Sequence, residues 1–226
     1  MTLPNLLSST THPFDLTIID NGSIDGTQEY LTNFTSKHRR TKKIKLILNQ
    51  NNQGLSKPTN DFWRDSNHTL VGKIDNDILV QNGWLDALVN SHKTVPNLAV
   101  VGGFHFPQNM FKYKKYQHNI HSYNDIRILR QPYIGGNYIA KRDILLKNGF
   151  LDEANSNFKL GGWTGYQQRL TRQRYIIGYY FPFIYFEHIL DFPDDYYKEV
   201  RGMSRKKYMQ WQKSDAKKLL YCKWQW

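Results

Sequence analysis

The stretch VGKIDNDILV, residues 71–80, decides the fold. An apolar run ends there in two aspartates, Asp75 and Asp77, one residue apart. Such charges are either solvated turn carboxylates or the ligands of a cation. The Asp-x-Asp pattern alone is weak evidence. With 15 aspartates in 226 residues, about one such pair arises by chance, a risk shared by all short motifs. Its position adds weight. Two apolar runs upstream also end in polar, hydrogen-bonding residues: FDLTIID closes in Asp20, Asn21 and Gly22, and KIKLILNQ runs into NNQG at residues 51–54.

Working outward, apolar runs alternate with helical patterns. LPNLLSS carries Leu3, Leu6 and Leu7 at helical spacing, and FDLTIID reads as a β-branched strand ending at Asp20. DGTQEYLTNFTSK reads as a helix with Asp25 or Thr27 near its start, where an oxygen satisfies free amides. KIKLILNQ is a second strand, and LSKPTNDFWRDS a helix with Pro58 in its first turn. TLVGKID, LAVVGG, YIGGNYIAK and YYFPFIYFEH are further strand candidates. GWLDALVNSHK, RDILLKNG and TGYQQRLTRQRY are further helices. From Phe104 to Arg130 no clear period emerges, and an active-site loop is expected there. The pattern predicts an α/β fold with a largely parallel sheet, and ligands bind such sheets beyond the carboxyl ends of the strands. The three polar strand ends therefore converge on one edge.

Composition narrows the function. The net charge is +12 and the aromatic content 15%, which predicts an anionic partner such as a phosphorylated small molecule, nucleic acid or acidic membrane surface. A single cysteine, Cys222, rules out an internal disulfide. No apolar run reaches the length of a membrane span, and MTLPNLLSSTTH lacks a signal-peptide pattern. A soluble protein of a reducing compartment is expected.

The four blocks FDLTIIDNGSIDGTQEYL, NQNNQGLSKPTN, VGKIDNDILVQNGWLDAL and GGNYIAKRDILLKNGFLDE together resemble the family-2 glycosyltransferases with the GT-A fold. The resemblance covers roughly Thr2 to Arg172. It implies a Rossmann-like α/β domain, a mostly parallel central sheet flanked by helices, and transfer of a sugar from a nucleotide-diphosphate sugar. It further implies an inverting, metal-dependent reaction with Mn2+ or Mg2+, on a saccharide, lipid-linked or protein acceptor that it does not specify. By position, Asp20, Asn21, Asn52, Gly54, Lys57, Asp75 and Asn76 would line the nucleotide-sugar site. Asp75, Asp77 and His188 would hold the metal.

The sequence departs from the family pattern twice. The family's first strand, expected in the middle of the sheet, has no counterpart ahead of LPNLLSS. The family's acidic pair near the acceptor is also missing: Thr164, Gly165 and Gln167 stand in its place. Asp152 and Glu153 are the nearest acidic candidates for the general base that an inverting transferase needs. Their alternative is a surface role after Gly149.

Residues 1–197 are expected to form the transferase-like domain, N-terminally truncated, and 198–226 a basic, aromatic helical tail. The tail either packs across the sheet or touches a membrane surface, which makes the expected location cytoplasmic, with peripheral contact at a membrane's inner face. A noncatalytic nucleotide- or carbohydrate-binding relative is the alternative reading. Nucleic acid, supported by charge alone, is not the expected partner.

Overall fold

The computed structural model describes residues 2–38, 43–105, 112–154 and 162–188. Ten strands and seven helices follow in the order α1 (Thr2–Ser8), β1 (Leu16–Asp20), α2 (Thr27–His38), β2 (Ile44–Leu48), α3 (Ser56–Asp65), β3 (Leu70–Lys73), β4 (Ile78–Val80), α4 (Trp84–Thr94), β5 (Leu98–Gly102), α5 (Tyr113–Tyr116), β6 (Ile120–Tyr123), β7 (Ile126–Arg130), β8 (Tyr138–Lys141), α6 (Arg142–Lys147), α7 (Trp163–Arg172), β9 (Ile176–Phe181) and β10 (Phe186–His188).

Local chemistry explains the elements. Asp25 Oδ1 accepts from the Thr27 backbone N–H at 3.2 Å and from its hydroxyl at 2.6 Å, which fixes the start of α2. Leu31 and Phe34, three apart on α2, are buried against β1 and β2. Helix α4 buries Trp84, Leu85, Leu88 and His92 along one face. Strand β5 is buried throughout, as a central strand covered on both sides must be.

The main sheet has six strands in the order β3-β8-β5-β9-β7-β6. Its side chains divide by the two-residue period. Val100, Tyr138 and Leu129 join one core cluster with Trp63, Tyr166 and Leu170, while Val101, Ile139 and Ile128 join the other with Leu88 and Phe186. The sheet is mixed where the sequence predicts a largely parallel one: β5 and β9 are parallel, but β3–β8, β5–β8, β7–β9 and β6–β7 are antiparallel. The chain after β5 turns back through hairpin β6–β7 and strand β8, which reverses direction without crossover helices. Three expectations change with it. Residues 112–130 form a helical turn and a hairpin instead of a loop, residues 106–111 lying outside the described residues. YIGGNYIAK is a strand only from Tyr138. YYFPFIYFEH splits into β9 and β10 around Pro182, whose ring removes a ladder donor.

Strands β1 and β2 form a separate parallel pair. Strand β1 does not pair with β3; the two meet at their starts, where His68 Nε2 and Asp15 Oδ2 are 2.8 Å apart. The described strands thus form the β1–β2 pair, the β4–β10 pair and the six-stranded sheet. Helix α1 packs against β4. Thr2 Oγ1 donates to the Asn76 carbonyl at 2.6 Å, and Asn5 exchanges two hydrogen bonds with the Val80 backbone. The expected tail, 198–226, lies outside the described residues. Among the described residues no helix is long and apolar enough to cross a membrane.

Candidate functional site

Strand β4, a three-residue strand that follows the Asp-Asn-Asp turn, positions the acidic pair. It pairs antiparallel with β10 so that Ile78 faces His188. That register brings His188 Nε2 to 3.1 Å from Asp77 Oδ2. The two side chains are 31% and 29% exposed, Asp77 first, so they are reachable from solvent but partly desolvated. Burial pushes the Asp77 carboxyl up, but the hydrogen bond and charge of His188 outweigh it and hold the carboxyl below the usual range.

Asp75 has different partners. Its Oδ1 accepts from Lys73 Nζ, its Oδ2 accepts from Asn137 Nδ2 at 3.1 Å, and its N–H donates to Asn137 Oδ1 at 2.6 Å. Asn137 ends the Gly135–Gly136 loop ahead of β8. A Cβ on Gly136 would lie 3.3 Å from Asp75 Oδ2 and 3.5 Å from Lys73 Nζ, so bare backbone here keeps the approach to both charges open. His105, after β5, sits against the same loop: a Cβ on Gly135 would meet its ring at 2.8 Å. Burial, then the charge of His188, lower the His105 imidazole to about 4, while Asp75 acts in the opposite sense.

The other two strand tips form one hydrogen-bonded unit. Asp20 is 5% exposed, and its Oδ1 accepts from Gly22 N–H, Ser23 N–H and Gln28 Nε2 at 3.2, 2.9 and 2.8 Å. Burial raises the Asp20 carboxyl, but the bonds from Ser23, Gln28 and Gly22 bring it below its ordinary value. Asn21 Nδ2 donates to Asn52 Oδ1 and the Gly54 carbonyl, while its Oδ1 accepts from Asn49 Nδ2 and Gln53 N–H. Asn52 Oδ1 also accepts from Gly54 N–H at 2.8 Å, and Gly54 takes the left-handed φ of 73° that this turn requires. The structure therefore brings Asp20, Asn21, Asn52 and Gly54 together. Lys57 stands one turn on, paired with Asp61 at 2.7 Å. The Asn76 carbonyl is held by Thr2.

Asp152 and Glu153 follow buried Leu151, and the Glu153 charge reaches Lys57. Buried Asn60 on α3 grips this segment, accepting from Leu151 N–H and donating to the Leu151 carbonyl and Glu153 Oε1, each at 2.9 Å. Asp152 Oδ1 accepts from Ala154 N–H at 3.0 Å. Gln167, which stands with Thr164 and Gly165 where the acidic pair is expected, is fully buried and makes two bonds with the Ile134 backbone, at 3.0 and 2.9 Å. Trp163 Nε1 donates to the Gly135 carbonyl and Thr171 Oγ1 to the Pro132 carbonyl. These three residues repeat every fourth position, so one face of α7 clamps the loop that carries Gly136 and Asn137.

Sequence reasoning missed Lys73, Asn137, His105 and the clamp role of Gln167. The signals existed: a lysine two residues before Asp75, and an asparagine directly after paired glycines.

The donor chemistry fits a divalent cation. Asp77 offers an oxygen donor of the kind Mn2+ and Mg2+ prefer and His188 a nitrogen donor beside it, and such ions readily take further ligands from phosphate and water. Among the described residues no group of three or more His, Cys, Asp or Glu side chains forms a complete cage.

An α/β sheet with these strand-tip loops is the GT-A glycosyltransferase fold, and solved structures share it. A mannosyltransferase, PcManGT from Pyrobaculum calidifontis, in complex with GDP-Man and Mn2+, is 16% identical with a TM-score of 0.64; the match covers 84% of this chain and 52% of that one. TarS 1-349 of S. aureus is 18% identical with a TM-score of 0.55, covering 87% and 57%. GalNAc-T7 with UDP, GalNAc and Mn2+ is 11% identical with a TM-score of 0.64, covering 83% and 40%. The chain thus spans about half the length of these solved chains. No curated protein matches the sequence significantly. The chain belongs to glycosyl transferase family 2, whose family model matches residues 2–156.

Proposed function

We propose that this domain transfers a sugar from a nucleotide-diphosphate sugar to a saccharide, lipid-linked or protein acceptor, with inversion. The observation that carries the reading is the Asp77–His188 pair, set by the β4–β10 register; the Asp20–Asn21–Asn52–Gly54 unit is read as part of the same site. The unit lines the nucleotide, and Asp77 with His188 holds Mn2+ or Mg2+. That cation neutralises charge on the departing diphosphate. Solved structures of the same fold, in complex with GDP-Man and Mn2+ or with UDP, GalNAc and Mn2+, support this assignment.

The acceptor's proton needs a base. Asp152 and Glu153 are the acidic groups assigned to it. Gln167, one of the three residues that stand in place of the acidic pair, is buried and bonded to the Ile134 backbone, which favours a second reading: a noncatalytic nucleotide- or carbohydrate-binding domain. A cytoplasmic location, with contact between the basic residues 198–226 and the inner face of a membrane, is proposed from their charge alone.

A thermal-shift screen of nucleotide sugars with and without Mn2+ tests the proposal, since a ligand of the native state raises its melting temperature. A Mn2+-enhanced shift with at least one GDP- or UDP-sugar is expected. No shift with any nucleotide sugar contradicts it. Donor turnover that is lost in Glu153→Gln or Asp152→Asn separates the transferase from the binding domain.

A further inference from the structure

The two carboxylates of the Asp-Asn-Asp turn are engaged differently, and the difference assigns a role to Lys73. Lys73 is the last residue of β3, and its side chain is 26% exposed. Its ammonium donates to Asp75 Oδ1, while Asn137 occupies Asp75 Oδ2 and the Asp75 N–H. Asp75 thus has an ammonium on one oxygen and an amide on the other, and a divalent ion at the same carboxylate would meet a like charge. Asp77 has His188 instead. The turn therefore presents two cationic positions: a built-in ammonium at Asp75 and a metal position at Asp77–His188.

Geometry keeps the ammonium available. A lysine ammonium has three N–H donors, and Asp75 takes one. The missing Cβ at Gly136 leaves the space 3.5 Å from Nζ to a ligand. A compact point charge of this kind is a common phosphate binder.

We propose that Lys73, positioned by Asp75 and Asn137, binds the donor diphosphate directly and supplies part of the charge otherwise left to the divalent cation. This rests on the proposed nucleotide-sugar site. It predicts that the protein retains measurable affinity for a nucleoside diphosphate when metal is removed.

Calorimetric titration of GDP and UDP, in Mn2+ and in EDTA, tests this with the intact chain. The unaltered protein is expected to bind in both, more weakly in EDTA. Lys73→Met should lose about tenfold in EDTA, equivalent to about 1.4 kcal/mol, as expected for a hydrogen bond to a charged group. Lys73→Arg should restore affinity to within a few-fold. Asp75→Asn should weaken EDTA binding while sparing the Mn2+-dependent increment. If Lys73→Met does not fold, as judged by its melting curve, Lys73→Gln serves for the same comparison. Binding in Mn2+ but none in EDTA overturns the role of Lys73 alone. Equal affinity of the Met variant and the unaltered protein in EDTA does the same. Absence of nucleotide binding under both conditions overturns the proposed function and, with it, this inference.

Discussion

His92 shows how a single buried group sets a pH response. It lies on the inner face of α4, and its Nε2 is 3.1 Å from the Ile139 carbonyl. Accepting there, the carbonyl requires Nε2–H on a neutral ring. Burial lowers the imidazole to about 4, against an ordinary value of 6.5. The folded state therefore resists a proton that the unfolded chain accepts. Stability is full above pH 6.5 and falls as the pH drops towards 4, by about 3 kcal/mol for this residue. Denaturant melts across pH 4 to 7 check this. His92→Gln, which keeps a donor for Ile139, should flatten that slope; an unchanged slope contradicts the assignment. At this scale the Asp-Asn-Asp turn was legible and its wiring was not. Asp75 and Asp77 read alike in sequence, yet Lys73 and Asn137 claim one and His188 the other. Those partners lie two, 62 and 111 residues away from their carboxylates, and only the sheet register selects them.

Helices and strands explain why the site holds its shape. Helix α3 contributes Asn60, whose side chain satisfies the buried Leu151 N–H and carbonyl. Asn60→Ala leaves both without that partner, and each such group costs about 1–3 kcal/mol. The variant should lose about 2–4 kcal/mol in urea melts; a loss under 0.5 kcal/mol would show that water or a neighbour replaces the amide. Helix α7 contributes Gln167. Gln167→Ala should destabilise the domain by about 2 kcal/mol and also weaken nucleotide binding, because the Gly135–Gly136–Asn137 loop loses its clamp. Restored binding in a stabilised background would limit Gln167 to a stability role. Most elements were legible because their signals are local: Pro58 in the first turn of α3, Asp25 at α2, the leucines of α1. Strand β4 was not, because three residues after a polar turn carry no readable period. The β6–β7 hairpin was not, because Lys, Tyr and His interrupt its alternation between positions 113 and 123. The split of β9 from β10 at Pro182 was signalled by the proline itself, though the stretch read as one strand with Pro182 near its start.

Across the whole molecule, topology joins residues that are far apart in sequence. The parallel strands β1 and β2 end in polar loops that Asn21 and Asn52 tie together, and β10 returns late in the chain to pair with β4 and set His188 against Asp77. The overall α/β class followed from alternation of patterns. The mixed sheet did not, because strand direction depends on how the chain returns after β5, and hairpin and β8 pairing are nonlocal. The central claim is that a cation at Asp77 and His188 grips the diphosphate of an activated sugar. The most direct measurement is titration of free Mn2+, followed by its electron paramagnetic resonance signal, into the protein with UDP or GDP. The account predicts loss of free signal that depends on nucleotide, and that disappears in Asp77→Ala and weakens in His188→Ala while both variants keep their native melting transitions. Identical Mn2+ uptake by Asp77→Ala and the unaltered protein would contradict it.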